Sequence, residues 1–298
     1  MSVVEVATIP REGPERERAA CRALEGGHIL VFPRTPFELK ESERQFLLKR
    51  RQREAGYHKN IAYRPASDRV TGVARQNGED ERRLRELLRA YSRRAVSFAA
   101  ALFPHYAVNW RIDYASFRPQ EEAGRRLSTH ARNDLLHVDS FPTRPTHGDR
   151  IFRLFTNVNP AAPRVWRTGE SFPELAERFA VSSGILSGVT RPGVARRIFS
   201  AARSVGLPVP VRPPYDEFMH RFHNFLKENE SYQESARAEQ ISFPPGSTWM
   251  VFTDAVTHSV LSGQYALEQT FLVSRESMLF PEMAPIAILE RLAGRAMA

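Results

Sequence analysis

The stretch Phe243-Pro244-Pro245-Gly246-Ser247-Thr248-Trp249-Met250-Val251-Phe252-Thr253-Asp254-Ala255-Val256-Thr257-His258 carries the reading of the fold. A Pro-Gly turn feeds an apolar run of β-branched and aromatic residues, the run ends at Asp254, and His258 follows a short polar turn. Outward from it, residues 108–117, 150–158, 247–253 and 267–273 share this composition and are bounded by Pro, Gly, Asn or Asp, so each predicts a strand. Helical spacing appears elsewhere. Residues 79–103 repeat Leu84, Leu87, Leu88, Tyr91, Ala95, Phe98 and Leu102 behind three acids, with Pro104 beyond the end. Residues 215–230 follow Pro213-Pro214 and put Phe218, Phe222 and Phe225 on one face, and a shorter helix is expected over 40–53. Helices and strands are segregated, which predicts an antiparallel sheet or barrel with helical cover.

Upstream, His137-Val138-Asp139 follows Leu135-Leu136. In an extended segment residues i and i+2 share a face, so the imidazole and the carboxylate converge. Alone, a His-x-Asp triplet is weak evidence. In an antiparallel barrel, however, strands distant in sequence lie side by side and can bring His258 to the His137/Asp139 edge. Two histidines and one carboxylate on one face leave three adjacent metal positions open, the facial triad of non-haem Fe(II) oxygenases. The blander alternative for His258 is a strand-end histidine bonded to a carbonyl. His220 and His223 sit on the phenylalanine helix and are expected to pack or face solvent, and His147 is expected to be structural.

The chain has 298 residues, 43 Lys+Arg against 34 Asp+Glu, and a formal charge of +9. Its positive charge is nearly all arginine, which suits an anionic partner such as nucleic acid, anionic lipid or an acidic small molecule. Eight arginines, Arg125, Arg126, Arg132, Arg144, Arg150, Arg153, Arg164 and Arg167, crowd around the proposed ligand segment and predict an anion-accepting mouth. The lone Cys21 excludes a disulfide framework and a cysteine zinc site. No GxGxxG, Walker or G-x-S-x-G motif is present. No apolar stretch approaches the ~20 residues that a bilayer requires, so neither export nor a membrane span is expected.

Longer strings then add a resemblance. Residues 136–148, Ile151-Phe152-Arg153-Leu154-Phe155-Thr156-Asn157-Val158-Asn159-Pro160, Pro163-Arg164-Val165-Trp166-Arg167, Phe243-Pro244-Pro245-Gly246, Ser262-Gly263-Gln264, Glu268-Gln269-Thr270-Phe271 and residues 289–296 resemble the 3-deoxy-D-manno-oct-2-ulosonic acid (Kdo) hydroxylases of Gram-negative bacteria. The resemblance covers most of the chain from about Tyr114 onward. It implies an α+β, mainly β fold: a double-stranded β-helix, or jelly-roll and cupin-like core, with supporting helices. One domain is expected over 1–298, with mostly helical support over 1–105 and a β-helix core over 106–280 that holds a helical insert at about 172–230.

The resemblance further implies Fe(II) held by His137, Asp139 and His258, with 2-oxoglutarate and O2 as cosubstrates. It implies hydroxylation at C3 of a Kdo sugar on Kdo-lipid A of the lipopolysaccharide inner core, giving D-glycero-D-talo-oct-2-ulosonic acid, succinate and CO2. Related dioxygenases carry an arginine about ten residues past the distal histidine for the far carboxylate of 2-oxoglutarate. Here that region reads Glu268, Gln269 and Thr270. Arg153 is the first replacement, because alternation from Ile151 aims it inward, with Gln269, Arg150, Arg118 and Arg126 as further candidates. Arg144, Arg164 and Arg167, with Trp166 as an apolar wall, are expected to grip the anionic substrate. A cytoplasmic protein in peripheral contact with an anionic membrane surface follows, with no nucleic-acid partner. The alternatives are a 2-oxoglutarate oxygenase for nucleic acid or another metabolite, and a non-catalytic basic cupin-like binding protein.

Overall fold

Pro245 and Gly246 occupy the two central positions of a tight turn, closed by a bond from Ser247 N–H to the Pro244 carbonyl at 3.1 Å. Gly246 has a φ of 76°, the left-handed value that this type of turn demands of its third residue. The turn delivers strand β9 (Thr248–Phe252), every residue of which is buried. The structure is a computed structural model and describes residues 3–5, 13–53, 60–74, 77–190 and 212–298.

The strands in chain order are β1 (Val3–Glu5), β2 (Ile29–Phe32), β3 (Ile61–Arg64), β4 (Arg69–Thr71), β5 (Arg111–Arg118), β6 (Arg150–Asn157), β7 (Arg164–Ser171), β8 (Glu239–Phe243), β9, β10 (Val256–Ser262) and β11 (Ala266–Val273). They form an eight-stranded sheet in the order β1-β2-β9-β6-β11-β5-β3-β4 and a three-stranded sheet in the order β10-β7-β8. His137 pairs with His258 on the free edge of β10, so the ligand segment acts as a fourth strand of the smaller sheet. Two facing sheets, antiparallel but for the parallel β1–β2 pair, make with these crossovers the expected double-stranded β-helix.

Alternation sorts the side chains of the larger sheet. Leu30, Phe32, Phe152, Leu154, Met250, Phe252, Leu267 and Phe271 point outward into a core shared with the helix Gly78–Leu102. Ile29, Val31, Phe155, Trp249 and Val251 point inward and meet Trp166, Phe243, Val256 and Val260 of the smaller sheet. This inner core is aromatic: Phe243 stacks on Trp249 at 4.0 Å, and Trp166 stands perpendicular to Trp249 at 5.6 Å. A third cluster packs the outer side of the smaller sheet against the helices Pro214–Glu228 and Pro285–Ala293.

Two expectations shift. The helix expected over 40–53 is Glu41–Leu48, because Gln52 bridges to Val73 and the chain there is drawn into strand-like pairing. Residues 104–109 form a short helix with Pro104 at its start, so β5 begins at Arg111 and not at residue 108. Beside the mostly helical support expected over 1–105, strands β1 to β4 extend both edges of the larger sheet. Strands β7, β8 and β10 were not anticipated, because polar and charged residues interrupt their alternation. Of the expected insert at 172–230, residues 191–211 lie outside the described residues.

Candidate active site

Strand β10 and the ligand segment exchange a pair of backbone bonds, His137 N–H to the His258 carbonyl at 3.1 Å and His258 N–H to the His137 carbonyl at 3.0 Å. Asp139 N–H donates to the Thr253 carbonyl at 2.8 Å and fixes the far end of the segment. Three backbone bonds thus bring together residues that are distant in sequence. One ligand atom from each of His137, Asp139 and His258 lies within 4.8 Å of the others. His137 Nε2 is 3.7 Å from Asp139 Oδ1, and His258 Nε2 is 3.9 Å from Asp139 Oδ2.

The imidazoles are already oriented. Nδ1 of His137 lies 2.7 Å from the Leu135 carbonyl and Nδ1 of His258 lies 3.2 Å from the Val256 carbonyl. A carbonyl only accepts, so each Nδ1 carries the proton and each Nε2 keeps its lone pair toward Asp139. Burial pushes both imidazoles below the usual histidine range and keeps them neutral, the form that binds metal. Burial would raise the Asp139 carboxyl, but the Arg153 guanidinium beside it outweighs this and holds it well below the ordinary range. Asp139 Oδ2 contacts Arg153 Nη2 at 3.2 Å yet accepts no hydrogen bond among the described residues. Two Nε2 lone pairs facing one ionised carboxylate with spare acceptor capacity fit a divalent cation of the Fe(II) type.

The triad opens on a cavity of about 850 Å³. One wall is the inner face of the larger sheet, presenting Ala62 and Arg64 of β3, Tyr114, Ser116 and Arg118 of β5, Arg153 of β6 and Glu268 and Thr270 of β11. Across from it stand Ser140 to Arg144 and one face of the helix Pro214–Glu228. Glu268 ties two guanidinium groups together: Arg153 Nη1 lies 2.9 Å from Oε1, and Arg118 Nε lies 2.9 Å from Oε2. Against the cost of burial, these two arginines keep Glu268 ionised.

The other expected cosubstrate residues lie elsewhere. Arg150 is on the opposite face of β6 from Arg153, fully buried, with Nε 2.9 Å from Asp254 and its guanidinium over Phe252. Gln269 points outward from β11 and spends its amide on the carbonyls of Asp113 and Thr270. Arg126 lines a separate depression with Glu122, Arg125 and Asp134. None of the three reaches the cavity, and strand alternation is the reason for the first two.

The substrate arginines divide in the same way. Arg144 lines the cavity mouth, paired with Asp113 and stacked over Tyr114 and Phe141 at 4.2 and 4.5 Å. Arg164 is 1% exposed, donates to the Gly263 carbonyl and lies 3.5 Å from Glu122, and burial lowers it to about 10. Arg167 donates to the Gln233 carbonyl outside the cavity. Neither is available to grip a substrate at the mouth. Trp166 is no cavity wall either: it lies behind the metal ligand, stacked on the His258 ring at 5.3 Å.

His223 packs, one of the two outcomes expected for the phenylalanine helix, and it does so against the ligand segment. Its Nδ1 lies 2.7 Å from the Val138 carbonyl, between the two ligands, and its ring meets His137 edge-on at 4.8 Å. With His220, Asn224 and Lys227 it forms the helical wall of the cavity. Those four residues recur at helical spacing, and that polar stripe beside the phenylalanine face was the signal.

A family model for 3-deoxy-D-manno-oct-2-ulosonic acid (Kdo) hydroxylase matches residues 8–296. No match is found among curated proteins. Among solved structures, the Kdo hydroxylase KdoO in complex with alphaketoglutarate and Fe(III) is 33% identical, over 100% of this chain and 98% of that one, with a TM-score of 0.83. The same enzyme with cobalt(II) is 34% identical over 100% and 97%, with a TM-score of 0.84. Its apo structure is 34% identical over 100% and 96%, with a TM-score of 0.82.

Proposed function

The chain belongs to the Kdo hydroxylase family, and from that membership we propose that it is an Fe(II)- and 2-oxoglutarate-dependent dioxygenase hydroxylating C3 of a Kdo sugar in Kdo-lipid A. The observation that carries the reading is the triad itself, with two pre-oriented imidazoles and one ionised carboxylate facing a cavity walled by arginine. Bound there, Fe(II) with 2-oxoglutarate supplies O2 activation, one oxygen atom entering the sugar as hydroxyl and the other entering succinate as CO2 leaves.

The residues of the chain have distinct tasks in this reaction. His137, Asp139 and His258 hold the metal. Arg153, with Arg118 beside it, receives the far carboxylate of 2-oxoglutarate, and Glu268 positions both guanidinium groups for it. His223 braces the backbone between the first two ligands through the Val138 carbonyl. Trp166 backs His258 and keeps water from its far face. Arg144 at the mouth meets anionic groups of the substrate.

No helix among the described residues is long and apolar enough to cross a membrane. A formal charge of +9 supports contact with its glycolipid at an anionic membrane surface. The decisive experiment measures succinate release by the Fe(II)-loaded protein with Kdo-lipid A, and the mass of the product. Release that depends on Kdo-lipid A, with one added oxygen in the sugar, is expected. Release driven instead by alkylated DNA would assign another oxygenase activity, and salt-sensitive DNA binding without turnover would assign a binding protein.

A further inference from the structure

The cavity pairs all but one of its arginines with a carboxylate, and the one left over, Arg64, stands exposed at the rim. Its lining presents five cationic side chains, Arg64, Arg118, Arg144, Arg153 and Lys227, against three carboxylates, Asp113, Asp139 and Glu268. Arg144 is paired with Asp113, while Arg118 and Arg153 share Glu268 and Asp139. Lys227 donates to the carbonyls of His130 and Arg132 at 3.0 and 2.6 Å. Arg64 makes no ion pair among the described residues. The nearby Asp68 is taken by Arg89 and Tyr63. The Arg64 guanidinium is held instead over the Tyr114 ring, 5.0 Å from its centroid. The same ring carries Arg144 at 4.2 Å.

Strand geometry fixes where this cation points. On β3, Ile61 and Tyr63 enter the outer core, so Ala62 and Arg64 face the cavity. Tyr63 pairs with Ala115, and Thr270 pairs with Arg153 across β11 and β6. Arg64 and Arg153 thus sit on one side of the same sheet, three strands apart, a separation of about 14 Å at the usual strand spacing. The two therefore stand toward opposite ends of the sheet wall of the cavity. With Fe(II) and 2-oxoglutarate neutralising each other, the cavity keeps a positive surplus, and its outer part lies under Arg64.

Building on the functional reading above, we propose that Arg64 is a specificity-determining residue that binds a second anionic group of the substrate, a carboxylate or a phosphate, outside the sugar that is oxidised. The Tyr114 ring lies beneath the guanidinium, and no carboxylate among the described residues pairs with it, so its N–H groups can receive two oxygens of an anion. Two groups of Kdo-lipid A have this chemistry: the carboxylate of a second Kdo and a phosphate of lipid A.

The test compares Arg64→Ala and Arg64→Lys with the wild-type Fe(II) enzyme, using Arg93→Ala on the exposed face of the helix Gly78–Leu102 as a control for net charge. Losing one charged contact is expected to raise KM for Kdo-lipid A roughly 10- to 100-fold. The apparent affinity should weaken equally in anaerobic equilibrium binding, with kcat and the KM for 2-oxoglutarate within about twofold of wild type. Arg64→Lys should recover part of the loss, and Arg93→Ala should change neither constant. If the contact is a phosphate, the Arg64→Ala penalty vanishes on dephosphorylated substrate. If it is a second carboxylate, the penalty vanishes on substrate carrying one Kdo. A penalty that persists on both overturns the assignment to a group beyond the reacting sugar, as does an unchanged KM for Kdo-lipid A or a shifted KM for 2-oxoglutarate. Wild-type protein that releases no succinate with Kdo-lipid A overturns the functional reading instead.

Discussion

Arg153 Nη1 lies 2.9 Å from Glu268 Oε1, and this contact resolves an apparent defect of the strand after His258. That strand presents a carboxylate where related dioxygenases place an arginine. The positive charge lies instead on the two strands that flank it, β6 and β5, and Glu268 holds it there. A dicarboxylate arriving at the triad meets two guanidinium groups whose geometry is already set.

Arg153→Ala should therefore weaken 2-oxoglutarate by ~2 to 5 kcal/mol, the cost of truncating one partner of a buried charge pair. Gln269→Ala, which points away from the cavity, should leave that affinity nearly unchanged. Titration of 2-oxoglutarate into the Fe(II) protein under nitrogen measures both. Equal affinities in wild type and Arg153→Ala would transfer the role to Arg118.

Substitution of the triad should separate chemistry from folding. His137→Ala, Asp139→Ala and His258→Ala each remove one of three metal ligands, so each should abolish succinate release while circular dichroism and thermal unfolding stay close to wild type. Chelator treatment of wild type should do the same, with recovery on adding Fe(II). Near-normal iron-dependent turnover in all three variants would disprove the assignment.

The Arg150–Asp254 pair should matter to stability and not to the cosubstrate. Both side chains are at most 1% exposed, and Arg150 Nη1 and Nη2 find no hydrogen bond among the described residues. Arg150→Met strands a buried carboxylate and should cost about 3 to 5 kcal/mol, whereas pairing it with Asp254→Leu should cost much less than the two single changes combined. Urea denaturation gives these values, and folded Arg150→Met should keep the wild-type KM for 2-oxoglutarate.

The reach of the sequence follows from physical range. Period-two alternation within one strand correctly aimed Arg153 inward from Ile151, because only backbone geometry within β6 was needed. The convergence of His137, Asp139 and His258 was also legible, since a His-x-Asp pair and a strand-end histidine in a barrel have few ways to meet. Arg164 and Trp166 show where legibility stops. Both lie on the inner side of β7, but Arg164 is sealed beneath Glu122 and Trp166 lies behind His258, and neither fact is local to β7. Crowding of eight arginines in sequence likewise did not report which face of which strand each occupies.

Cys21 gives a probe of the whole fold. It is fully buried, and burial pushes its thiol up to about 12, so almost no thiolate exists at neutral pH. Native protein should not react with a thiol reagent over minutes, and one equivalent should react once denaturant exposes it. Rapid labelling without denaturant would mean that the packing of the helix Pro14–Glu25 opens readily.

Arg144 remains the mouth residue with a direct contact to follow. Its guanidinium is clamped between Asp113, Tyr114 and Phe141, so it is oriented but already paired. A substrate anion must therefore share it with Asp113, and the gain from that contact is smaller than for an uncompensated cation. Arg144→Ala should raise KM for Kdo-lipid A by about tenfold, consistent with a charge-assisted bond of 1.5 to 3 kcal/mol partly offset by Asp113. The slow decarboxylation of 2-oxoglutarate without sugar substrate should be spared, because the triad and Arg153 are untouched. Asp113→Asn frees Arg144 from its partner and should lower the same KM. Steady-state kinetics at fixed ionic strength measure all three effects, and a wild-type KM in Arg144→Ala would leave the side chain as a brace for Phe141 alone.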